Sequence, residues 1–483
     1  MIKTPVFDAW AILPELFLGG FAIVGLLYEA FARRSDRRVH LMLALSGTFA
    51  SAAAALALWT YSGPPTAMAG MVNVDRFSVF GRLLLVTIAA FSLVLGTHYF
   101  SLDTTRYRGE FYPLVLFATM GMTLITAAAD LLVVFLALEI LSLSLYVLTG
   151  FTGRRGSNEA AMKYFLLGAF SSAIFLYGIA MAYGAVDSTN LAALAHGLSG
   201  QSGNQSIALL SLVFLLAGFS FKAALVPFHM WTPDVYQGAP TPVTGFMSAA
   251  TKAAAFLALI RVLDVAFQPL TWNWVPLVWA IAAITMVVGA VFAVAQSDIK
   301  RMLAYSSILN AGYILAGLTS ADSVGIRAAM FYLTAYAATS IGAFGVVMMV
   351  SARTDEATSL DAYRGLARRS PFLGAIMTLF LLSLAGVPPA AGFIAKVAVF
   401  SAALHAGHWS LVLIGVLTSV VAAFFYLRVI VLMYMEEPVG DQEHETAVWP
   451  RAVLAVPAVG VLVLGVFPGV ILRAIDAASV LRW

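Results

Sequence analysis

The sequence predicts an all-α polytopic membrane protein with about fourteen transmembrane helices. Of its 483 residues, 61% are hydrophobic, and the mean hydropathy is +0.92. Charged residues make up 11%, whereas about a quarter of the residues in a typical soluble domain are charged. A water-soluble fold of this length would lack the polar side chains to cover its surface. Apolar runs of about twenty residues, the length that crosses the hydrocarbon core, recur from Trp10 almost to the C-terminus.

The apolar runs divide the chain into fourteen predicted spans within one integral membrane domain, 1–483. The first run is too long for the apolar part of a signal peptide, and arginines rather than a cleavage site follow it, so we interpret it as a transmembrane helix. The spans are placed at 10–32, 39–61, 75–100, 111–128, 130–150, 158–184, 206–236, 240–266, 273–295, 301–319, 325–351, 371–405, 409–435 and 449–473.

Basic residues between the spans indicate their orientation, because short cytoplasmic loops carry an excess of Lys and Arg. If the N-terminus is outside, the odd-numbered loops face the cytoplasm and hold fifteen basic residues, against five in the outer segments. We therefore expect an even number of spans with both termini on the outer, periplasmic side. The inner set is Arg33, Arg34, Arg37, Arg38, Arg106, Arg108, Arg154, Arg155, Lys300, Arg301, Arg353, Arg364, Arg368, Arg369 and Arg451. The outer set is Lys3, Arg76, Arg327, Arg473 and Arg482.

Two predicted spans contain prolines that interrupt a continuous helix. In the seventh span, Pro227 and Pro233 follow closely on Lys222. In the twelfth span, the pair Pro388–Pro389 precedes Lys396. Proline removes a backbone donor and clashes with the carbonyl four residues back, and freed polar groups are tolerated at membrane depth only inside protein or beside water. Broken helices in comparable places of two halves indicate a transport pathway.

Five of the ionisable residues within the predicted spans, where charge is costly, are candidates for a functional role. A central lysine costs roughly 2.5–3.5 kcal/mol on insertion scales, so four central lysines would cost on the order of 10–14 kcal/mol. Such residues are expected to face the bundle interior and to act as proton or ion relays. The set is Glu139, Lys163, Lys222, Lys252 and Lys396.

Some of the charges within spans have a simpler explanation. Lys163 lies a few residues past the loop of Arg154 and Arg155, so a snorkelling anchor at the membrane surface is an alternative to a relay. Four further charges lie near span ends or can pair within the bundle, and we expect structural roles for them. They are Arg82, Arg261, Asp264 and Arg428.

The residue types of the deep set favour proton transfer. Burial favours the neutral form of a lysine, and a nearby carboxylate favours its charged form, so Glu139 near Lys222 would control when that lysine releases its proton. His229, which follows a proline turn, is a candidate relay near neutral pH; a histidine satisfied in the core is the alternative. Hydroxyl groups and water can join the lysines. The candidate hydroxyls are those of Ser248, Thr251, Tyr305, Ser306 and Ser307.

Several kinds of site are excluded by what the sequence lacks. It contains no cysteine, which excludes disulfides, iron–sulfur clusters held by cysteine and thiolate metal sites. It has no P-loop and no glycine-rich dinucleotide fingerprint after a strand. His405 and His408 lie in a short outer loop rather than in facing positions for a haem. We therefore expect this chain to hold no metal or redox cofactor and to hydrolyse no nucleotide.

The chain resembles the antiporter-like membrane subunits of respiratory complex I. The resemblance covers essentially the whole length, including LPE at Leu13–Glu15, and the run PDVYQGAPTPVT favours the N type. The M type typically carries a glutamate in place of Lys396, and the L type has a long C-terminal extension that this chain lacks. The most similar stretches are WTPDVYQGAPTPVTGFMSAATKAAAF (231–256), QSDIKRMLAYSSILNAGY (296–313) and GVPPAAGFIAKVAVF (386–400).

The resemblance implies two inverted five-helix repeats around broken helices 7 and 12, with a hydrated polar axis at mid-membrane. Many relatives have a histidine where this chain has Asn310, which can hold water but cannot carry a proton at neutral pH. By position, the relay residues of the family correspond to Glu139, Lys163, Lys222, Lys252 and Lys396. The implied divisions are N-terminal helices at 1–110, a first repeat at 111–266, a second repeat at 273–435 and a C-terminal helix at 449–483.

The function implied by the resemblance is that of a non-redox, proton-translocating subunit of a bacterial NADH–quinone oxidoreductase, driven by quinone reduction elsewhere in the complex. The implied partners are the other membrane and peripheral subunits, bilayer lipid and protons, with no nucleic acid. FMN, iron–sulfur clusters and quinone would belong to the complex and not to this chain, and the location would be the bacterial inner membrane. Two alternatives stay open: a subunit of a Mrp-type cation/proton antiporter, and a scaffold with a vestigial polar axis.

Overall fold

The computed structural model describes residues 8–32, 36–61, 63–101, 108–200, 203–351, 358–438 and 448–481. Six of the basic residues that indicate the orientation lie outside these described residues, namely Lys3, Arg33, Arg34, Arg106, Arg353 and Arg482.

Helices dominate the described residues. The first ten are α1 Leu13–Phe31, α2 Arg37–Ala57, α3 Arg76–Ser101, α4 Phe111–Ala127, α5 Leu131–Thr149, α6 Arg155–Val186, α7 Leu191–Ser199, α8 Gln205–Ala223, α9 Trp231–Gly238 and α10 Thr241–Phe246. The next ten are α11 Lys252–Arg261, α12 Thr271–Val294, α13 Ile299–Leu318, α14 Ser323–Val350, α15 Leu366–Arg369, α16 Pro371–Ala385, α17 Ala391–His405, α18 Trp409–Met435, α19 Val448–Val466 and α20 Gly469–Ala478.

Shorter elements join the helices. A two-stranded antiparallel hairpin, β1 Thr66–Ala67 and β2 Val72–Asn73, follows α2. Two π-helical segments flank α11, at Met247–Thr251 and Val262–Ala266. Single 3₁₀ turns lie at Ala9–Ile12, Leu58–Thr60, Gln268–Leu270 and Leu360–Tyr363.

The predicted all-α membrane fold is confirmed. Among the described residues, eleven helices are long and apolar enough to cross a membrane. Three shorter apolar helices, α4, α16 and α17, fill the predicted spans 111–128 and 371–405. Helical structure occupies every one of the fourteen predicted spans, and the number of crossings itself stays a prediction.

The centre of the bundle is built from small and aromatic side chains. The most apolar stretch of Thr241–Ala266 is wholly buried, and 89% of the corresponding stretch of Ser323–Val350 is buried. Gly245 shows why these two segments approach so closely, because a Cβ there would lie 3.1 Å from Cβ of Phe344. Peripheral helices α6 and α18 instead expose large apolar side chains such as Phe170 and Val420, as expected for surfaces that face lipid.

Two fully buried ion pairs connect distant parts of the chain. Arg82 on α3 binds Glu15 on α1 through two hydrogen bonds of 2.8 and 3.1 Å. Arg261 on α11 binds Asp75 through two hydrogen bonds of 2.8 and 2.9 Å and donates a third, of 3.0 Å, to the carbonyl of Thr126. Each arginine is therefore neutralised inside the bundle, as a structural role requires.

Candidate functional site

The predicted breaks in spans 7 and 12 have the same construction. Helix α8 ends at Ala223, and Ala224 follows in the left-handed region with φ 61°. Helix α16 ends at Ala385, and Gly386 follows with φ 84°. A cis X–Pro bond comes next in each case, Val226–Pro227 and Pro388–Pro389, before the chain resumes as α9 or α17. The final carbonyls of α8 and α16 are therefore left without the partner that a continuing helix would supply.

Lys222 and Glu139 line one cavity between α5, α6 and α8, with an empty volume of about 310 Å³. Lys222 is 6% exposed, and its Nζ donates a 2.7 Å hydrogen bond to Oγ of Ser142 on α5. Glu139, one turn earlier on α5, accepts a hydrogen bond from the hydroxyl of Ser172 on α6. The rings of Tyr146 and Tyr164 lie 5.8 and 5.4 Å from Lys222 Nζ, near enough for cation–π attraction.

Lys252 connects the first broken helix with α13. It begins α11, directly after the π-helical segment Met247–Thr251, and is 2% exposed. Its Nζ donates to two backbone carbonyls, that of Ala223 at 3.4 Å and that of Ser307 at 2.5 Å. The lysine thus lies at the negative end of the α8 dipole, where a cation is stabilised.

Lys396 has the corresponding position at the second broken helix. It is 6% exposed, and its Nζ donates to the final carbonyl of α16, that of Ala385, at 2.8 Å. A second hydrogen bond of 2.7 Å goes to Oγ of Ser419 on α18, and the Tyr313 ring centroid is 4.9 Å from Nζ. We call Glu139, Lys222, Lys252 and Lys396 the lysine line.

One face of α13 joins Lys252 to Lys396 within the lysine line. Ser307 contacts Lys252 and Tyr313 contacts Lys396. Asn310 lies between them at i, i+3 spacing, which places all three residues on the same side of the helix. Asn310 accepts a 2.6 Å hydrogen bond from the hydroxyl of Tyr332 and donates one of 2.7 Å to the carbonyl of Ser306.

Additional hydroxyl groups extend this polar interior. The Ser306 hydroxyl is hydrogen-bonded to that of Tyr426. Ser248 lies 3.0 Å from the Tyr336 hydroxyl and 2.6 Å from Oγ of Ser340. The Tyr336 ring is itself 5.7 Å from Lys252 Nζ. Buried groups that can both donate and accept therefore surround the lysines along α13 and α14.

Lys163 does not join the lysine line. It is 43% exposed and forms ion pairs of 2.8 Å with Glu159 and with Asp234 on α9. Asp234 also accepts a 2.6 Å hydrogen bond from Arg301, which reaches Gln237 at 3.2 Å. We call these five residues the charged cluster. It lies at the loop ends of α6, α9 and α13.

His229 lies apart from the lysine line as well, in the turn between α8 and α9. It is partly buried, and its Nδ1 has no hydrogen-bond partner among the described residues. It lies two residues after Pro227 in this turn.

One buried lysine is not among the residues predicted from the sequence. Lys300 was assigned to an inner loop, whereas the structure places it in the first turn of α13 with 2% exposure. Its Nζ donates a 2.6 Å hydrogen bond to the carbonyl of Ala239. A signal was present, because Asp298 is a helix N-cap residue and predicts that α13 begins at Ile299.

Comparison with known proteins identifies the family. Residues 128–422 match the family described as the NADH:quinone oxidoreductase/Mrp antiporter transmembrane region. Over 99% of this chain and 97% of the relative, the sequence is 43% identical to the NADH-quinone oxidoreductase subunit N of Rhodococcus opacus (strain B4). The chain belongs to the subunit N family of NADH-quinone oxidoreductase. The resemblance noted from the motifs, including the preference for the N type, is thereby confirmed.

Solved structures agree with this assignment. A chain of respiratory complex I from Thermus thermophilus with bound Aureothin superposes with a TM-score of 0.82 at 36% identity, covering 96% of this chain and 99% of that one. A chain of the Mrp complex from Dietzia sp. DQ12-45-1b gives a TM-score of 0.84 at 22% identity, covering 98% of this chain and 97% of that one. The second likeness shows a shared fold alone. This chain is thus a multi-pass membrane subunit of complex I.

Proposed function

We propose that this subunit translocates protons along the lysine line, from Glu139 and Lys222 through Lys252 to Lys396. The observation that carries the proposal is the placement of three buried lysines on helix-end carbonyls and hydroxyls, joined by one polar face of α13. Charged groups at membrane depth are energetically costly, and where they occur they commonly mark an ion or proton pathway. A purely structural bundle would not need them.

The contacts suit lysines that change protonation state. Carbonyl and hydroxyl oxygens stabilise an ammonium group without neutralising it, so the neutral amine remains accessible. Glu139 supplies the carboxylate that favours the charged form of Lys222, because both side chains line the same cavity. Quinone reduction elsewhere in the complex would drive the cycle by changing the charge that Glu139 presents.

Lys163 and His229 complete the proposed relay at its edges. Lys163 holds Asp234 at the membrane face, so it can exchange protons with water more readily than with the lysine line. His229 can exchange protons through its unpartnered Nδ1. We expect both residues to be less important than the four members of the line.

The remaining features of the proposal follow from the family. The subunit would act without a redox centre of its own, since the sequence offers no cysteine ligands, and FMN, iron–sulfur clusters and quinone would reside elsewhere. Its partners would be the other membrane and peripheral subunits and the lipid bilayer. Its location would be the bacterial inner membrane, with both termini on the periplasmic side.

A test uses the intact complex in inverted membrane vesicles carrying Lys222→Ala or Glu139→Ala. We expect slower proton pumping and, through coupling, slower NADH:quinone reduction, with the assembled amount of the complex largely unchanged. Arg428→Ala is the matched control, because that side chain is exposed and only approaches the carbonyl of Val294 at 3.5 Å. A normal proton-to-electron ratio at a normal rate in both test variants would contradict the relay.

The Mrp-type alternative makes a different prediction. A cation/proton antiporter subunit would exchange ions without any electron donor. Vesicles that contain this subunit should then acidify or take up Na⁺ in response to a cation gradient alone. We expect pumping only when NADH and quinone are both supplied.

A further inference from the structure

Lys300 is a buried lysine that the lysine line does not include. Its Nζ binds the carbonyl of Ala239, the residue that ends α9 and precedes Pro240. This arrangement repeats that of Lys252 at the end of α8 and of Lys396 at the end of α16. The molecule therefore uses the same type of site, an ammonium group on a helix-end carbonyl, at a third broken point.

The surroundings of Lys300 connect it with the aqueous face. Arg301 is its neighbour in the chain, and Asp234 and Gln237 lie on the helix whose end it binds. The side chains of Arg301 and Asp234 are 31% and 34% exposed. Lys300 thus adjoins the charged cluster, whose side chains are partly exposed.

Buried hydroxyl groups lie on the elements that carry or contact Lys300 and Lys252. Ser307 lies seven residues after Lys300 on α13, which is two turns along the same face and about 10.5 Å of rise, and its carbonyl binds Lys252. The side chains of Thr232, Thr251 and Ser307 are at most 2% exposed. The hydroxyl groups of Thr232 and Thr251 have no hydrogen-bond partner among the described residues.

Such groups require an explanation, because a buried hydroxyl without a partner is costly. Tyr236 on α9 adds a fourth hydroxyl, which faces the side chains of Ser248 and Ser307. Helices α9 and α13 pack against each other, which brings Tyr236 and Ser307 together. Water held there would satisfy them and would join Lys300 to Lys252.

We propose that Lys300 is the proton-loading site of this subunit, taking a proton from water at the charged cluster and passing it through Tyr236, Ser307 and bound water to Lys252. In each cycle an N–H bond of the Lys300 ammonium breaks and its proton moves to the adjacent water or hydroxyl. The freed lone pair then takes a proton from the aqueous face. The inference rests on the proposed function, because it supplies the lysine line.

The test compares Lys300→Gln and Lys300→Arg in the intact complex in inverted vesicles. Both replacements can donate a hydrogen bond to the Ala239 carbonyl, so both preserve a structural cap. Neither can exchange a proton in the working pH range, because an amide does not ionise and a guanidinium stays charged. We expect each variant to lose as much proton pumping as Lys222→Ala, with the assembled amount retained.

The outcomes separate the two proposals. Wild-type pumping in either assembled Lys300 variant, alongside a loss in Lys222→Ala, would overturn the loading site and leave the lysine line intact. Wild-type pumping in Lys222→Ala as well would overturn both. If neither Lys300 variant assembles, the double variant Tyr236→Phe, Ser307→Ala decides, since it removes only hydroxyl oxygens: slowed pumping supports the loading route and normal pumping refutes it.

Discussion

At the scale of single residues, the partners of a buried charge distinguish its role. Arg82 and Arg261 each meet a carboxylate in a two-point ion pair. Lys252 and Lys396 meet neutral oxygens instead. A lysine with neutral partners can lose its proton without leaving a buried anion behind, whereas a paired arginine cannot.

Lys163 provides a direct check of this distinction. The Lys163 side chain is 43% exposed and its ammonium group is paired with two carboxylates. Removing this side chain should therefore lower the free energy of unfolding by no more than about 1 kcal/mol. We expect Lys163→Ala to slow NADH-driven pumping only slightly. A loss as large as that of Lys222→Ala, measured in the same vesicles, would place Lys163 in the essential pathway.

Asn310 provides a second prediction at this scale. Asn310→Leu would leave the hydroxyl of Tyr332 without its acceptor, at a cost of about 1–3 kcal/mol for an unsatisfied buried group, and would interrupt the polar face of α13. We expect slower pumping in this variant. Asn310→His keeps a polar, hydrogen-bonding side chain and should pump at least as fast as the wild type. Equal rates in the two variants would show that Asn310 does not participate.

The sequence was sufficient to predict residue types and depths but not partners. Glu139, Lys222, Lys252 and Lys396 were expected inside the bundle because charge at that depth is costly. That Lys163 binds Asp234, 71 residues away, could not be predicted, since one sequence carries no information about which helices touch. Lys300 was assigned to a loop because an adjacent arginine made the pair look like a topology signal.

At the scale of elements, the residue after α16 determines where Lys396 lies. Gly386 has φ 84°, and a Cβ there would lie 2.8 Å from Cδ and 3.3 Å from Nζ of Lys396. We expect Gly386→Ala to displace the lysine from the Ala385 carbonyl and to slow pumping, in addition to a backbone cost of about 1–2 kcal/mol. The measurements are the pumping rate and the melting temperature of the purified complex.

Gly407 is the matched control for that prediction. It has nearly the same backbone conformation, with φ 85°, but a Cβ there would meet nothing within 4 Å. Gly407→Ala should therefore lower the melting temperature similarly and leave pumping unchanged. If both variants pump normally, the position of Lys396 does not depend on the break.

Some elements could be predicted from the sequence and others could not. Prolines at 227, 233, 388 and 389 indicated both broken helices, because proline ends a helix for local reasons. Helix α7, Leu191–Ser199, lies in a segment that was expected to be an outer loop, since nine residues are too few to span a membrane. The π-helical segment before Lys252 also escaped prediction, because tertiary packing rather than local preference selects it.

At the scale of the whole molecule, buried ion pairs hold the N-terminal helices against the rest of the bundle. Arg261 on α11 binds Asp75, which precedes α3, and both side chains are almost fully buried. Arg261→Met should destabilise the subunit by about 3–5 kcal/mol, because it leaves a buried carboxylate unpaired. The assembled amount and melting temperature of the complex measure this loss.

Two further variants test the same prediction. Removing both charges with Arg261→Met and Asp75→Leu together should restore much of the stability, because no unpaired charge remains. The side chains of Arg327 and Asp476, which form an exposed pair, are 46% and 51% exposed. Disrupting this pair should lower the free energy of unfolding by about 0–1 kcal/mol. A larger effect at the exposed pair than at the buried one would contradict the assignment.

The internal symmetry of the molecule stays a prediction. Two inverted repeats, at 111–266 and 273–435, would relate the broken helices to each other. The matching construction of the two breaks supports this division, since each combines a left-handed residue with a lysine on the final carbonyl.

In the proposed relay, the helix-end carbonyls that hold Lys252 and Lys396 would also limit how many protons the interior tolerates at once. A dipole end supplies roughly half a negative charge, so each ammonium group is only partly compensated. The lysine line has one carboxyl group, that of Glu139, against three lysines. Adding a second proton would therefore have to overcome repulsion from the first. Protonation of the lysine line would then be anticooperative. A newly arrived proton would expel one that is already present, so conduction would proceed by displacement in single file.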